Sequence, residues 1–356
     1  MTTMSLSTAA PPADVFSNLE SVCASRGLDA LTLRLVELRT WLESDLDEVE
    51  QALETAGAGD TLAQRSARHL LGQGGKRLRP ICVALAARAG GGFNAAARTY
   101  AVAVELVHNA TLLHDDVVDL GDRRRGVEAA RLIYGNAASI FGGDWLLVDA
   151  LCRIQAVGIP GVIDRMLEVI REMVIAESLQ LARRGQVRSS ASDYFRIVDG
   201  KTASLFRWAM FAGARAGGLE ARATDALETF GQKLGVAFQL VDDVLDFAGD
   251  PASTGKSLLT DLREGKMTYP LILAMERDRT LAPLLEQVCA EGDVELDPEI
   301  AARVAHAVSS AHVVEDCLDL ATRLCKDAVQ SLEVLPQGRA RASLESVAMA
   351  TPRRKR

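Results

Sequence analysis

Residues Glu105 to Asp119 read ELVHNATLLHDDVVD, and residues Ala237 to Asp246 read AFQLVDDVLD. Each string sets three aspartates, spaced D-D-x-x-D, inside an apolar run: Asp115, Asp116 and Asp119 in the first, Asp242, Asp243 and Asp246 in the second. Around the first, Val102, Leu106, Leu113 and Val117 recur at threes and fours, the period of a helix with a buried stripe. On such a helix, carboxylates at i and i+4 share a face. Like charges so placed repel, and acids in apolar surroundings are costly unless a cation compensates them. Magnesium suits this need best, because it takes oxygen ligands, keeps waters and is commonly shared between carboxylates and substrate phosphates. A solvated acidic face accounts for one triplet. Two copies at the same spacing, each in an apolar helix, point instead to a polyphosphate gripped through bridging metals. A calcium loop does not fit, because the glycine turn such a loop needs is missing.

Outward from these strings the chain reads as helix throughout. Helices are expected over about Leu31–Thr55 and Ala95–Asp119, near 136–156, 161–184, 193–216, 222–247 and 267–277, and again after 297. Between them fall the breakers AGAGD, GQGG, AGGG, GIPG and GDPASTG. Alternating strand patterns and Asn-Gly hairpin turns are nearly absent. No composition shift marks a domain boundary and no solenoid period appears. The expected fold class is all-α, a single large helical bundle over 29–350. A weakly ordered or disordered segment is expected at 1–28, and a solvated basic tail, TPRRKR, at 351–356.

Composition narrows the function classes. The chain has 356 residues, 48% of them hydrophobic and 25% charged, so it can bury a sizeable core without metals or disulfides. A formal net charge of −8 speaks against a nucleic-acid partner and gives no general attraction to anionic lipid. The six cysteines form no C-x-x-C pair and sit mostly among apolar neighbours, as reduced thiols of a cytoplasmic protein do. No uncharged apolar stretch reaches the roughly 18–20 residues of a membrane span, and the first residues lack the order of a signal peptide.

Cations accompany the acids: Lys76, Arg77 and Arg79 in GGKRLRP, Arg123, Arg124 and Arg125 in DRRRG, Lys201 in DGKTASLF, and Lys256 and Lys266 in GKSLLTDLREGK. Guanidinium forks and lysine point charges both suit phosphate oxygens. GDPASTGKS imitates a nucleotide-binding P-loop, but five residues part Gly249 from Gly255 where four are needed, and a helix precedes it instead of a strand. His108, Thr111, Asp115 and Asp119, spaced 3, 4 and 4, share one helical face. His108 lies about 10 Å along the axis from Asp115, too far for a shared metal and better placed for a hydrogen bond to a second phosphate.

Taken in order from Gly74 to Pro270, these strings resemble the trans-isoprenyl diphosphate synthases, most closely those making long, octaprenyl-type chains. The resemblance implies a bundle of the isoprenoid synthase type with a central active-site cavity, usually in a homodimer. It implies that Asp115, Asp116 and Asp119 hold two Mg2+ ions on an allylic diphosphate and that Asp242 and Asp243 reach a third, with Asp246 in support. Arg124, Lys201, Thr202, Gln239 and Lys256 would contact that diphosphate, with Lys266 nearby and Gln180 lining the cavity. Lys76, Arg79, His108 and Arg125 would bind isopentenyl diphosphate. The allylic partner would be farnesyl, geranyl or dimethylallyl diphosphate.

The chain departs from the family after DRRRG, where Val127, Glu128 and Ala129 replace the usual Lys-Pro-Thr, and at Ser257, Leu120 and Gly121. By the same resemblance the residues four and five before the first aspartate, Thr111 and Ala110, form the floor under the growing product. Both are small, so a medium- to long-chain product is expected, with Met166 or Ile170 as candidates for a deeper limit. The alternatives are a shorter-chain synthase of the geranylgeranyl or farnesyl type, a terpene cyclase, or a non-catalytic subunit of a heteromeric synthase. The paired acidic motifs and the isopentenyl-type cations weigh against the last two.

Overall fold

The computed structural model describes residues 29–248, 259–291, 297–310 and 312–354. In chain order its helices are α1 (Asp29–Thr55), α2 (Leu62–Leu71), α3 (Leu78–Arg88), α4 (Ala95–Val118), α5 (Ala130–Tyr134), α6 (Asn136–Val157), α7 (Val162–Arg183), α8 (Ala191–Val198) and α9 (Ser204–Ala216). There follow α10 (Ala221–Ala248), α11 (Thr260–Arg263), α12 (Tyr269–Arg277), α13 (Leu281–Glu291), α14 (Pro298–Ser310), α15 (Val313–Ser331) and α16 (Arg339–Ala350). Strand is confined, among the described residues, to a two-residue hairpin pairing Arg123–Arg124 with Val127–Glu128. The fold is all-α, as the periodicity predicts.

Helix α4 lies at the centre. It packs most extensively on α6 and also meets α3, α9 and α1. Tyr100, Ala101, Val102, Ala103, Val104, Leu106 and Val107 are all buried, so a full turn and more has no solvent side. A helix apolar all round must sit inside other helices. Helix α10 is the second inner rod, held between α9 and α15. The two acidic strings thus end two helices enclosed by others.

Five described helices escape the periodicity reading: α2, α3 and α13, of 10, 11 and 11 residues, and the short α5 and α11, of 5 and 4. Glycines crowd the first two. Helix α2 is fixed by a capping box in which Thr61 and Gln64 satisfy each other's backbone amides, and α3 starts directly after the GGKR string, with Pro80 in its first turn, where a missing N–H costs nothing.

Two expectations are corrected. Asp119 does not continue the helix but caps its end, with φ −89° and ψ 0°. The string TPRRKR is not a solvated tail as far as it is described: Thr351–Arg353 form a 3-10 turn, and Thr351, Pro352 and Arg354 are buried. The turn rests on α10 and α15, and Arg354 finds a carboxylate partner there. The expected segment 1–28, Lys256, Ser257 and the P-loop imitation fall outside the described residues.

Candidate active site

The first acidic motif ends α4 against a set of cations. Arg124, delivered by the hairpin, sets its Nε 2.9 Å from Asp116 Oδ1 and donates to the same oxygen through Nη2. Asp116 is 1% exposed; burial pushes its carboxyl pKa up and Arg124 opposes it. Its Oδ2 is buried without a hydrogen-bond partner among the described residues. Lys201 Nζ lies 3.4 Å from Asp115 and 2.6 Å from Glu177. Lys266 Nζ lies 2.7 Å from Asp119, with Arg184 at 3.7 Å from the same carboxylate. Burial alone would lower the Lys266 pKa, but Glu264 and Asp119 hold it above the ordinary lysine range. The replaced loop is intact: Arg125 (φ 52°) and Gly126 (φ 80°) turn the hairpin, and Ala129 N–H closes it on Asp122 O at 2.9 Å.

Lys201 and Thr202 stand on a turn of another kind. Asp199–Ala203 is a π-helical turn between α8 and α9, closed by Ser204 N–H donating to Asp199 O five residues back. Such bulges favour functional sites. Gly200 lets this turn press on α7, since a Cβ there would come within 2.7 Å of Ala176 Cβ. The close approach carries Lys201 to Glu177 on α7.

On α10 the second motif meets different partners. Asp243 is 3% exposed. Tyr194 donates its phenol hydrogen to Oδ2 at 2.6 Å, and Gln239 Nε2 donates to Oδ1 at 2.7 Å. Thr202 donates in turn to Gln239 Oε1 at 2.9 Å. Burial, with the Asp261 charge close by, pushes the Asp243 carboxyl well above the usual carboxylate range. Asp246 accepts the Asp261 amide at 3.3 Å. Asp242 pairs with Arg354, whose Nη1 lies 2.9 Å away and whose guanidinium covers the Phe238 ring at 3.7 Å.

Both motifs address one opening. Gln180, Lys201, Thr202, Gln239, Asp243 and Lys266 line one cleft. Lys201 and Lys266, from its wall, reach back to Asp115 and Asp119. A basic cluster surrounds His108. His108 there feels Arg79, Arg125, Arg124 and Arg77; burial first, and then these cations, push its pKa well down and hold the imidazole neutral. Arg79 lies over the Phe206 ring at 4.8 Å, and Arg125 donates to Gly74 O. Arg77, left-handed at φ 50°, pairs with the buried Glu105 at 2.6 Å, which fixes the GGKR loop to α4. Lys76 is exposed on that loop. Thr111 is partly exposed, whereas Ala110 and Met166 are buried and Ile170 is half-buried.

Of the candidates, the structure thus places Gln180, Lys201, Thr202, Gln239, Asp243 and Lys266 on the cleft, Asp115 and Asp119 against two of its lysines, and Arg79, Arg124 and Arg125 near His108; Lys256 is not described. Tyr194, Glu177, Asp261 and Arg354 join these contacts and are not among the candidates, although Asp261 lies in GKSLLTDLREGK and Arg354 in TPRRKR; Glu177 shares a helical face with Gln180. Among the described residues no three His, Cys, Asp or Glu side chains converge into a ready-made metal cage. Magnesium shared with phosphate oxygens needs no cage, since one or two carboxylates and the substrate complete its shell. The residues fit it: Asp243 lines the cleft, Asp115 and Asp119 pair with two of its lysines, and among the described residues a buried Asp116 oxygen has no partner. No helix among the described residues is long and apolar enough to cross a membrane.

All-helical architecture, paired acidic helix ends and a cation-lined cleft define a class of enzymes acting on diphosphates, and comparison with known proteins specifies it. Residues 60–302 match the polyprenyl synthetase family. Octaprenyl diphosphate synthase of Escherichia coli (strain K12) is 33% identical over 330 residues, 91% of this chain and 100% of that one. Heptaprenyl diphosphate synthase component 2 of Geobacillus stearothermophilus is 34% identical, over 89% of this chain and 98% of its own. A crystal structure of polyprenyl synthase from Caulobacter crescentus CB15, complexed with calcium and isoprenyl diphosphate, superposes with a TM-score of 0.84 at 34% identity, covering 90% of this chain and 97% of that one. The chain belongs to the polyprenyl synthetase family and is a trans-prenyltransferase.

Proposed function

We propose that this chain condenses isopentenyl diphosphate with an allylic diphosphate, farnesyl, geranyl or dimethylallyl, with the help of Mg2+, three ions per site, and releases a medium- to long-chain all-trans polyprenyl diphosphate. One observation carries the reading: Lys201 and Lys266 line the Asp243 wall of the cleft and touch Asp115 and Asp119 of the other motif. A diphosphate placed between them meets acids for metals on both sides and ammonium groups directly.

The residues act through charge. Bound Mg2+ supplies Lewis-acid stabilisation of the departing diphosphate and is held by Asp115, Asp116 and Asp119 on one side and by Asp242 and Asp243 on the other, with Asp246 in support. Arg124, Lys201, Thr202, Gln239, Lys256 and Lys266 contact the allylic diphosphate, where negative charge grows as the C–O bond breaks. Lys76, Arg79, Arg125 and neutral His108 hold isopentenyl diphosphate, His108 as a hydrogen-bond partner. The apolar interior keeps water from the allylic cation. The isopentenyl double bond attacks that cation, a proton leaves to the released diphosphate, and the chain is longer by five carbons. Thr111 and Ala110 set the channel floor, and their small size leaves room for a long tail.

The partner of the protein is a second copy of itself. Phe141, Trp145 and Val148 form an exposed apolar stripe on α6, and Val174, Ile175 and Leu181 another on α7; Phe141 is 61% exposed. Apolar surface so concentrated marks an association face. Cys82, Cys317 and Cys325 are buried free thiols, which suits a cytoplasmic location. Purified protein with Mg2+, labelled isopentenyl diphosphate and starters of several lengths will give a ladder ending at medium to long chains. Absence of incorporation with every starter refutes the activity.

A further inference from the structure

Four of the motif aspartates meet a cation: Asp115 meets Lys201, Asp116 meets Arg124, Asp119 meets Lys266 and Asp242 meets Arg354. Asp243 is held differently. Both of its oxygens accept from neutral donors, the Tyr194 phenol and the Gln239 amide. A neutral donor orients a carboxylate without cancelling its charge. An ionised carboxylate offers about four acceptor positions, so two hydrogen bonds leave room for a metal. Among the described residues no lysine or arginine pairs with Asp243, and a buried carboxylate charge is costly unless a cation compensates it.

Tyr194 itself is locked. It is 5% exposed, stacks on Tyr269 with ring centroids 5.6 Å apart, and meets Phe195 edge-on at 5.0 Å. The three rings fix where the hydroxyl points, and the hydroxyl fixes the plane of the Asp243 carboxylate. The other edge is tied through Gln239 to Thr202 on the π turn, which also carries Lys201. The carboxylate is therefore held through both of its oxygens.

We propose that Tyr194 is a positioning residue for the metal side of the reaction: its hydroxyl holds Asp243 in the orientation that accepts a divalent ion shared with the allylic diphosphate. This rests on the function proposed above and goes beyond it, since Tyr194, which lines the cleft, has no role there. Partners of metal-ligating groups typically change metal affinity 10–100-fold when removed.

Tyr194→Phe keeps the ring cluster and removes one hydroxyl. The full-length parent and variant are titrated with Mg2+ in the presence of farnesyl thiodiphosphate, an allylic analogue slow to ionise, and binding is followed by calorimetry alongside thermal unfolding. The Mg2+ concentration for half-maximal analogue binding is expected to rise about 10–100-fold in the variant, while the affinity for isopentenyl diphosphate stays within twofold. In an Asp243→Asn background the same substitution is expected to add nothing, because no metal ligand is left to orient. A variant midpoint within twofold of the parent overturns the proposal, as does an equal shift in the Asp243→Asn background or loss of cooperative unfolding. A parent that binds the analogue without regard to Mg2+ removes the metal–diphosphate reading of the whole cleft; a Mg2+-dependent parent with an unaffected variant removes Tyr194 alone.

Discussion

At the end of α4 every aspartate sits against a lysine or arginine, while on α10 the middle aspartate sits against a phenol and an amide. The two strings are spelled alike, yet burial and partners give them different electrostatics. The first is charge-balanced by the protein itself, so a metal entering there competes with lysines that can transfer to the diphosphate. The second keeps an acid whose charge burial disfavours. A D-D-x-x-D spacing therefore states where carboxylates lie and not how they are held. The holding comes from residues distant in the chain.

Substitutions at four positions sharpen this contrast. The largest effect is expected for Asp115→Ala: isopentenyl incorporation falls by about 10³-fold or more while far-UV circular dichroism is unchanged, since removing transition-state charge stabilisation of this kind costs 10²–10³ per group. Near-normal turnover would take the first motif out of the mechanism. Lys201→Ala is expected to lose about 10²-fold, with partial recovery in Lys201→Arg, because the ammonium faces growing phosphate charge. An equal loss in both variants would assign Lys201 to packing.

Ala110→Tyr is expected to change what is made more than how fast. Chromatography of the products should show chains shorter by several isoprene units, at a first-condensation rate within a few-fold of the parent. Unchanged lengths would refute the channel-floor role, and Ala110, buried beside the half-exposed Thr111, makes this a stringent test.

The smallest effect concerns stability without metal. The Asp243 pKa is raised well above its ordinary 3.8 in the folded chain. Below that ordinary value both folded and unfolded states carry the proton, and the contribution to stability is complete. As pH rises toward the raised value the folded state keeps its proton while the unfolded state releases it, so stability falls with pH. In EDTA, Asp243→Asn should gain thermal stability relative to the parent as pH rises from about 4. A parent–variant difference that does not move with pH would place the Asp243 charge elsewhere in the balance.

The legible part of the molecule is the part written locally. Helices of 20 residues and more show their period, and both acidic motifs are contiguous strings. Helices α2 and α3 are hidden because 10 or 11 residues bounded by glycines hold too few turns to establish a period. The holding residues are hidden because no local pattern encodes them: Tyr194 reaches Asp243 across 49 residues, and Lys266 reaches Asp119 across 147. Arg354 shows the same limit. Its charge suggested a wet tail, and its partner on α10 decided otherwise.

The π turn at Asp199–Ala203 also acts as a phase slip. Helices α8 and α9 form nearly one rod, and each keeps its own apolar stripe turned inward: Tyr194 and Val198 before the slip, Leu205, Phe206 and Ala209 after it. An uninterrupted α-helix would carry one stripe through and leave room for one polar side chain per turn at the cleft. The wider turn lets the neighbours Lys201 and Thr202 serve it together. Removing a single residue from this turn would straighten the rod and set the two halves of its hydrophobic pattern out of register with the bundle around them.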